Sequence, residues 1–404
     1  MFIRVAKNPH RSQQRLGFLK YLTYRALQYD SNTIIGLGTD LLRVISKKVN
    51  IELNKSLETY IKYRLRGKFK NLLSDKQLKI FLEIQDIYLA SSQIPSNTGK
   101  LYLSDCEKRY PYLLSSLGLT RERTNSLLVR GKVFLEFVLK KELDSFIDYN
   151  KSLNPFLLND YQKYIFLYSI LENDGDVIKP LYIQLLKLKD SFTDWIAGDF
   201  LPDIYFKIIK NYRSNVTSGI DKEKLDRLYD SAKRIERWVY KPRTGGRGAK
   251  LDAITPRLEP FVDLNLLIKK NPYKYEYYLS EQGKVFFKLF CSNESVDKFL
   301  GSSFFFALNK TFELKANPIK KDEIINVLFS AFNKIKSPLG YAPIKEIALL
   351  GAIKSLVNNR KYFEVYQATE IIMEYQKSHP YKVRFQMNRS GAPVYIKFLS
   401  NIKN

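Results

Sequence analysis

The feature that most restricts the fold is a helical segment that ends in two short apolar runs around a glycine turn. Within residues 233–290, a basic loop rich in Gly and Arg precedes apolar residues near helical spacing over 254–266. Residues 275–279 and 285–287 then enclose the turn 281–283. Helical spacing predicts a helix, and two β-type runs around a glycine predict a hairpin. We therefore expect a mainly α fold with small β-hairpins (α+β).

The last part of the chain repeats this pattern more completely. Its periodicity predicts an amphipathic helix, a turn and two further helices, followed by a strand, a glycine turn and a strand. In chain order these segments are 321–335, 337–341, 343–357, 362–375, 381–387, 388–391 and 392–398. The last 30 residues contain no Asp or Glu, so every charged residue of the predicted hairpin is basic.

The charge of the chain is strongly unbalanced. Lys and Arg total 67 against 41 Asp and Glu, which gives a formal net charge of +26. An excess of this size favours a polyanionic partner, with nucleic acid ahead of an acidic protein or a membrane surface. No apolar run is long enough to span a bilayer, and the first residues lack the pattern of a signal peptide. Since the two cysteines also fit a reducing compartment, we expect a cytoplasmic protein without a membrane partner.

Two further basic segments lie in the N-terminal half. Residues 62–70 expose five cations in nine residues whether they form a helix or a strand. Gly118-Leu119-Thr120 is similar to the turn of a helix-turn-helix, with Thr120 as the cap of the following helix. A solvated cationic face or a plain helical bundle would give the same patterns. The candidate phosphate contacts in these segments are Lys62, Arg64, Arg66, Arg121 and Arg123.

Two parts of the sequence resemble winged helix-turn-helix DNA-binding domains. The glycine loop, ITPRLEPFVDLNLL and YEYYLSEQGK resemble a recognition helix with its wing, and GYAPIKEIALLGAIKSL with YKVRFQMNRSGAPVYIKF is similar to the same superfamily. The resemblance covers under half of the chain. It implies tandem units in which a helix enters the major groove and the wing touches the backbone or minor groove. The first wing is acidic at Glu276 and Glu281, which moves the expected DNA contacts to the preceding loop.

We accordingly divide the chain into four parts. Residues 1–95 are expected to form a basic helical N-terminal region and 100–190 a helical or winged-helix-like domain. Residues 191–295 are expected to form a winged-helix-like domain with the basic Gly/Arg loop, and 318–404 a C-terminal winged-helix domain. In the second part, periodicity predicts a helix, a turn and a helix over 159–171, 172–176 and 177–188.

A DNA-binding role assigns different duties to different cations. Side chains that neutralise phosphates give an affinity that falls steeply with salt, whereas base reading needs side chains on a helix in the major groove. The candidates for phosphate contacts are Lys241, Arg243, Arg247, Lys250, Arg384, Arg389 and Lys397. The candidates for base reading are Arg257 and Lys250 in one unit and Tyr362 and Gln367 in the other.

The sequence offers little material for catalysis. Its two histidines, at positions 10 and 379, do not suffice for a His-pair metal site or for most acid–base chemistry. The run 245–248 lacks the Lys-Ser/Thr of a phosphate-binding loop. The remaining alternative is a Mg²⁺-dependent nuclease, with Asp297 on one strand and Glu313 and Lys315 on the next. We expect neither a cofactor nor a metal.

These observations favour a non-catalytic double-stranded DNA-binding protein, with DNA preferred over RNA. The bias toward Lys, Asn, Ile, Tyr and Phe indicates an AT-rich coding sequence, typical of a low-GC bacterium or a mobile element. We therefore expect an accessory subunit that works with a protein partner in a bacterial antiviral defence or mobile-element complex. A plasmid-type replication initiator, which also uses tandem winged helices, is the alternative within the DNA-binding class.

Overall fold

The computed structural model describes residues 3–6, 16–28, 110–121, 126–138, 157–188, 191–214, 219–240, 246–271, 275–389 and 391–399. The helices within them are α1 (Leu16–Gln28), α2 (Tyr110–Ser116), α3 (Val129–Leu135), α4 (Asp160–Leu185), α5 (Asp194–Asp199), α6 (Leu201–Tyr212), α7 (Gly219–Tyr240), α8 (Gly246–Ile254), α9 (Glu259–Asp263), α10 (Glu281–Ser292), α11 (Val296–Ser302), α12 (Phe304–Thr311), α13 (Lys321–Ile335), α14 (Ile344–Asn359) and α15 (Val365–Ser378). The strands are β1 (Phe192–Thr193), β2 (Leu267–Asn271), β3 (Glu276–Leu279), β4 (Asn317–Pro318), β5 (Ala342–Pro343), β6 (Lys361–Tyr362), β7 (Val383–Met387) and β8 (Pro393–Phe398). Predicted contacts that lie outside the described residues are Lys62, Arg64, Arg66, Arg123, Lys241 and Arg243.

Helix α4 is a long helix of 26 residues, most of it buried. A capping box begins it: the Asn159 side chain accepts from the Gln162 amide at 3.0 Å, and the Gln162 side chain accepts from the Asn159 amide at 3.1 Å. The turn predicted at 172–176 is wrong, because the helix continues through this acidic segment.

The acidic segment remains helical because cations from other elements bind its carboxylates. Arg130 of α3 binds Glu172, and Arg257, which follows α8, binds Asp174. The glycine within the segment serves packing and not a turn, since a Cβ on Gly175 would lie 2.6 Å from a methyl group of Val296. Long-range contacts therefore override a local turn signal.

The middle part of the fold, taken as residues 157–292, contains a three-stranded antiparallel sheet in the order β1-β3-β2. β2 and β3 form its hairpin, with Leu267 opposite Leu279 and Lys269 opposite Tyr277. Phe192 of β1 lies opposite Tyr277 on the other side of β3. The last strand in sequence is thus the central strand of the sheet.

The second strand of the hairpin predicted over 275–287 is wrong, because helix α10 occupies these residues. Ser280 caps this helix, with its Oγ accepting from the Gly283 amide at 2.9 Å. Gly283 allows a close approach: a Cβ on it would lie 1.8 Å from the Leu266 carbonyl oxygen. The hairpin partner of β3 is β2. β2 directly follows the apolar residues 254–266, so local patterns did not separate this strand from the predicted helix.

The C-terminal part confirms the predicted order of helices and hairpin. Helices α13, α14 and α15 are followed by the β7–β8 hairpin, and β5 completes a sheet in the order β5-β8-β7. Phe398 of β8 packs edge-on against Phe329 and Phe332 of α13, with ring centroids 5.3 and 5.0 Å away. The inner face of the hairpin is therefore part of the core.

The described residues form a mainly helical fold with sheets of two or three strands, as the sequence predicts. A further helix predicted from Thr120 is wrong: Thr120 forms an isolated β-bridge with Leu127. The Arg121 amide donates to the Ser126 carbonyl oxygen at 2.8 Å, and helix α3 begins only at Val129. The division into four domains stays a prediction.

Candidate nucleic-acid interface

The β7–β8 hairpin separates apolar from basic side chains on its two faces. Val383 lies opposite Phe398, and both are buried. Arg384 lies opposite Lys397 on the outer face, where Arg384 is exposed and Lys397 is half-buried. This alternation is typical of a strand with one face in the core. It places two cations directly across from each other on the face that meets solvent.

Two cations in this arrangement repel each other, and like charges directly opposite in a sheet are destabilising. Lys397 donates to the Leu339 carbonyl oxygen at 3.2 Å, and its Nζ lies 5.4 Å from the centre of the Tyr341 ring. Among the described residues, neither Arg384 nor Lys397 forms an ion pair. The last 30 residues contain no Asp or Glu, so the hairpin itself supplies no counter-charge.

The tip of the hairpin extends the same basic surface. Arg389 is exposed there, and Gly391 has a φ of 78°, a left-handed conformation that favours glycine. The Asn388 amide donates to the Ala392 carbonyl oxygen at 2.9 Å and closes the turn. The structure thus brings Arg384, Arg389 and Lys397, all predicted phosphate contacts, onto one hairpin.

Helix α15 is less open than a base-reading helix requires. The Glu364 carboxylate at its start accepts from the backbone amides of Phe305 and Phe306 at 3.1 and 2.8 Å. Gly301 of α11 lies so close to Tyr366 that a Cβ on it would be 2.4 Å from the ring. Gln367 reaches back to the Glu364 amide at 3.4 Å. The beginning of α15 therefore packs on α11 and α12.

The two residues proposed for base reading in this part do not suit that task. Tyr362 is half-buried within strand β6, and Gln367 belongs to the capping box of α15. The exposed face of α15 also carries Glu370 and Glu374, and the latter pairs with Lys321 at 2.5 Å. Carboxylates facing a phosphate backbone oppose binding, so these surroundings do not favour base reading by Tyr362 and Gln367, which stays a prediction.

Arg257, predicted to read bases, is buried in the middle part with 2% of its surface exposed. Its guanidinium donates to Asp174 at 2.6 and 3.0 Å and to the Tyr205 hydroxyl at 2.9 Å. The Tyr182 hydroxyl donates to the Arg257 carbonyl oxygen at 3.0 Å. Burial by itself lowers the pKa of Arg257, but the charge of Asp174 raises it above the usual range. The prediction is wrong because the side chain is enclosed by its partners.

Lys250, predicted to contact phosphate, is also enclosed. It is fully buried, pairs with Asp199, and its Nζ lies 3.8 Å from the centre of the Trp195 ring. Its stem fills the space beside Gly198, where a Cβ would lie 2.7 Å from Lys250 Cε. The prediction for Lys250 is therefore wrong. Arg247 lies in the first turn of α8, so part of the expected loop is helical.

A second buried charge pair supports the middle sheet and escaped the sequence analysis. Lys269 of β2 and the Tyr277 hydroxyl of β3 both bind Glu259 Oε1 at 2.6 Å, and the two charged side chains are fully buried. Burial raises the pKa of Tyr277, and the nearby Glu259 carboxylate adds to this rise. The sequence signal was weak, because Lys269 stands directly after an apolar run in the strand sequence LIKKN.

A cluster of charges joins α3, α4 and α14. Arg130 donates to Glu346 at 3.1 and 2.5 Å and also binds Glu172, which Lys345 binds as well. Burial by itself raises the pKa of Glu172, but the charges of Arg130 and Lys345 hold it at about 2. This cluster borders a cavity of about 440 Å³. Its charges are balanced internally, which indicates a structural connection.

The nuclease alternative requires a carboxylate and a Glu-x-Lys pair on adjacent strands, and the structure does not contain these strands. Asp297 lies in helix α11 and binds Arg4. Glu313 and Lys315 lie in a turn after α12 with φ values of 49° and 53°. Within the described ranges, no group of three His, Cys, Asp or Glu side chains could hold a metal ion.

Comparisons with family models, with curated proteins and with solved structures give no match to this chain. None of the helices in the described part of the chain is long and apolar enough to cross a membrane. The geometry of the chain itself is therefore the guide to its function. In that geometry, the β7–β8 hairpin is the place where predicted contact residues converge on an exposed surface.

Proposed function

We propose that the chain is a non-catalytic double-stranded DNA-binding protein and that residues 318–404 form a winged helix whose hairpin contacts the DNA backbone. The order α13, β5, α14, β6, α15, β7, β8 supports this assignment, as does the sheet order β5-β8-β7. Both agree with a helix-turn-helix followed by a two-stranded wing. The conclusion about function depends on the site, since a fold alone does not define an activity.

The observation that carries the proposal is the cross-strand pair of Arg384 and Lys397. Its repulsion costs stability, and a phosphate between the two side chains would remove that cost. Arg384 offers a planar set of donors that suits a phosphate, and Lys397 adds a point charge. Arg389 at the tip reaches beyond the pair toward a further phosphate. The hairpin thus presents three cations and contains no acid in its own sequence.

The proposed binding mode favours the DNA backbone over the bases. The start of α15 is covered by α11 and α12, and its exposed face carries Glu370 and Glu374. Phosphate contacts position a protein on DNA but carry no sequence information. We therefore expect weak sequence preference and a strong dependence of the affinity on salt.

The test is a fluorescence-polarisation titration of a random 25-base-pair duplex over a series of salt concentrations. The Arg384→Ala/Arg389→Ala/Lys397→Ala variant should bind more weakly at low salt. The slope of log affinity against log salt should fall by about three, because each lost phosphate contact removes about 0.9. Lys207→Ala/Lys210→Ala removes two exposed cations of α6 and serves as the control.

An unchanged salt slope in the hairpin variant would contradict the proposal, as would an equal change in the control. A duplex RNA of the same sequence forms the second arm of the titration. We expect the DNA duplex to bind more tightly, since a winged hairpin is suited to the grooves of B-form DNA. Tighter binding of RNA would indicate an RNA-binding protein and contradict the proposal.

A replication initiator is the second candidate, because the sheets β1-β3-β2 and β5-β8-β7 share one strand order. Two related units in tandem would suit a site made of direct repeats, and linkage raises affinity through effective concentration. Binding that increases at least about tenfold from one repeat to two would favour this candidate over an accessory subunit in a defence or mobile-element complex. Equal binding would favour the accessory subunit and its protein partner.

A further inference from the structure

A groove of about 560 Å³ lies between the end of α4 and the elements β3 and α10. Leu186, Leu188 and Tyr278 of β3 line the groove together with three exposed lysines, which we call its rim. These lysines are Lys270 of β2 and Lys284 and Lys288 of α10. The residues that line the groove, all of them in the described part of the chain, include no carboxylate.

The rim concentrates positive charge at some cost to stability. Lys284 and Lys288 are exposed and lie four residues apart on one face of α10, a spacing at which like charges destabilise a helix. Lys284 pairs with Glu281 at 2.6 Å and Lys270 with Glu276 at 3.5 Å. Lys288 has no ion pair among the described residues. Two of the rim lysines thus already have carboxylate partners, and Lys288 is the one in the described residues whose charge favours a negatively charged occupant.

The walls of the groove are apolar and partly open to solvent. Tyr278 is 39% exposed, and its cross-strand neighbour Ile268 is 37% exposed. Leu186 and Leu188 are half-buried. Large apolar side chains exposed together, next to charged residues, are typical of a surface that contacts a partner. The occupant should thus carry apolar groups as well as negative charge.

These two properties distinguish the possible partners. A DNA duplex presents phosphates but no apolar side chains that could fill the groove. Single strands bind on a series of exposed aromatic rings, whereas here Tyr278 is accompanied by leucines. An acidic segment of a protein offers carboxylates for the lysines and apolar side chains for the walls. We propose that this groove binds an acidic, amphipathic segment of a partner protein.

The experiment uses the full chain and a fluorescein-labelled peptide in which Glu and Asp alternate with Leu and Phe. We expect saturable binding, and at least a tenfold loss for the Lys284→Glu/Lys288→Glu variant. Tyr278→Ser should weaken binding without changing the charge. The peptide with Gln and Asn in place of the acids, and the Lys207→Glu/Lys210→Glu protein, are the matched controls. Thermal unfolding of each variant confirms that it folds.

Three outcomes would overturn the proposal. The first two are the absence of peptide binding up to about 1 mM and equal peptide affinity for the wild-type and Lys284→Glu/Lys288→Glu proteins. The third uses a labelled oligothymidine as a single-stranded DNA probe: its binding is lost in that variant while peptide binding persists. The inference is independent of the DNA-binding proposal, because the Arg384→Ala/Arg389→Ala/Lys397→Ala variant should lose DNA and keep the peptide. The Lys284→Glu/Lys288→Glu variant should instead lose the peptide and keep DNA.

Discussion

The middle and C-terminal sheets share a strand order but place their charges on opposite sides. In the middle sheet, Lys269 points inward and pairs with a buried Glu259. In the C-terminal sheet, Arg384 and Lys397 face each other on the outer side of the hairpin. Both regions carry cations that the sequence made candidates for DNA contacts or left unexplained. The difference shows that the count of cations does not locate a binding surface, whereas their direction and their partners do.

The same contrast applies to the buried carboxylates. In the middle part, Asp174 and Glu259 are each bound by a cation, Arg257 and Lys269 respectively. In the C-terminal part, Glu364 is held by backbone amides and has no cation partner among the described residues. The buried carboxylates Asp174 and Glu259 therefore stabilise the architecture through ion pairs, whereas Glu364 can gain a proton without breaking one.

The largest effect that tests this comparison concerns one arginine from each part. Arg257→Met leaves Asp174 buried without its partner and should cost about 3 to 5 kcal/mol of unfolding free energy. Arg384→Met removes an exposed side chain and should change stability by less than about 0.5 kcal/mol. Urea unfolding measures both. The Arg257→Met/Asp174→Leu double variant should recover most of the loss, and a cost of Arg257→Met below about 1 kcal/mol would contradict the comparison.

Protonation of Glu364 gives the next largest effect. Burial raises the pKa of Glu364 to about 7, although the amides of Phe306 and Phe305 act in the opposite direction. Because the folded pKa exceeds the ordinary value of 4.5, the carboxyl contributes stability below pH 4.5 that is lost as the pH rises through 7. The free energy of unfolding should therefore fall by about 3 kcal/mol between pH 4.5 and pH 7 through this one carboxyl group.

Urea unfolding between pH 4 and pH 8 tests this expectation. Glu364→Gln should remove the loss of stability on going to pH 8, whereas the exposed Glu370→Gln on the same helix should keep it. Parallel curves for the wild type and Glu364→Gln would show that the amides, and not burial, decide the charge of this group. Glu172 acts in the opposite sense, since stability that it contributes is lost as the pH falls from 4.5 toward 2.

Glycines beside the two hairpins provide a smaller effect. Gly283→Ala would place a Cβ 1.8 Å from the Leu266 carbonyl oxygen, so the backbone must shift at a cost of about 2 to 3 kcal/mol. Gly391→Ala has open space around the new methyl group and should cost about 1 kcal/mol for its left-handed φ. Thermal unfolding ranks the two variants. The reverse order would contradict the close packing of α10 on β2.

The smallest effect has opposite signs for stability and for binding. Arg384→Glu replaces a repulsive cross-strand pair with an attractive one and should stabilise the protein by about 0.5 kcal/mol. The same change should weaken DNA binding at least about tenfold, because it removes one phosphate contact and adds a repulsive charge. Urea unfolding and fluorescence polarisation on the same sample check both signs. A loss of stability would show that Arg384 makes a structural contact.

Local patterns predicted the C-terminal part well and the middle part poorly. Helices α13 to α15 and the β7–β8 hairpin follow from periodicity because each local preference agrees with the final packing. In the middle part, the turn signals at 172–176 and at Gly283 were overridden. Cations bind the acids of the first segment, and a backbone carbonyl packs against the second. Periodicity alone cannot anticipate partners that lie far away in the sequence.

The candidate site shows the same division. Arg384, Arg389 and Lys397 were found because the alternation of a strand indicates which side chains leave the core. Lys250 and Arg257 appeared equally basic, but their partners Asp199 and Asp174 belong to other helices. The groove beside Tyr278 combines α4, β2, β3 and α10. No single segment of the sequence indicates it.

The contacts of residues 3–6 have a consequence for synthesis of the protein on the ribosome. The Arg4 amide donates to Asp176 at 2.8 Å, and the Arg4 side chain binds Asp297, 293 positions later in the chain. At about 5 to 20 residues per second, roughly 15 to 60 s pass between the synthesis of these two residues. During that time the Arg4 side chain lacks the Asp297 carboxylate that it binds in the folded chain.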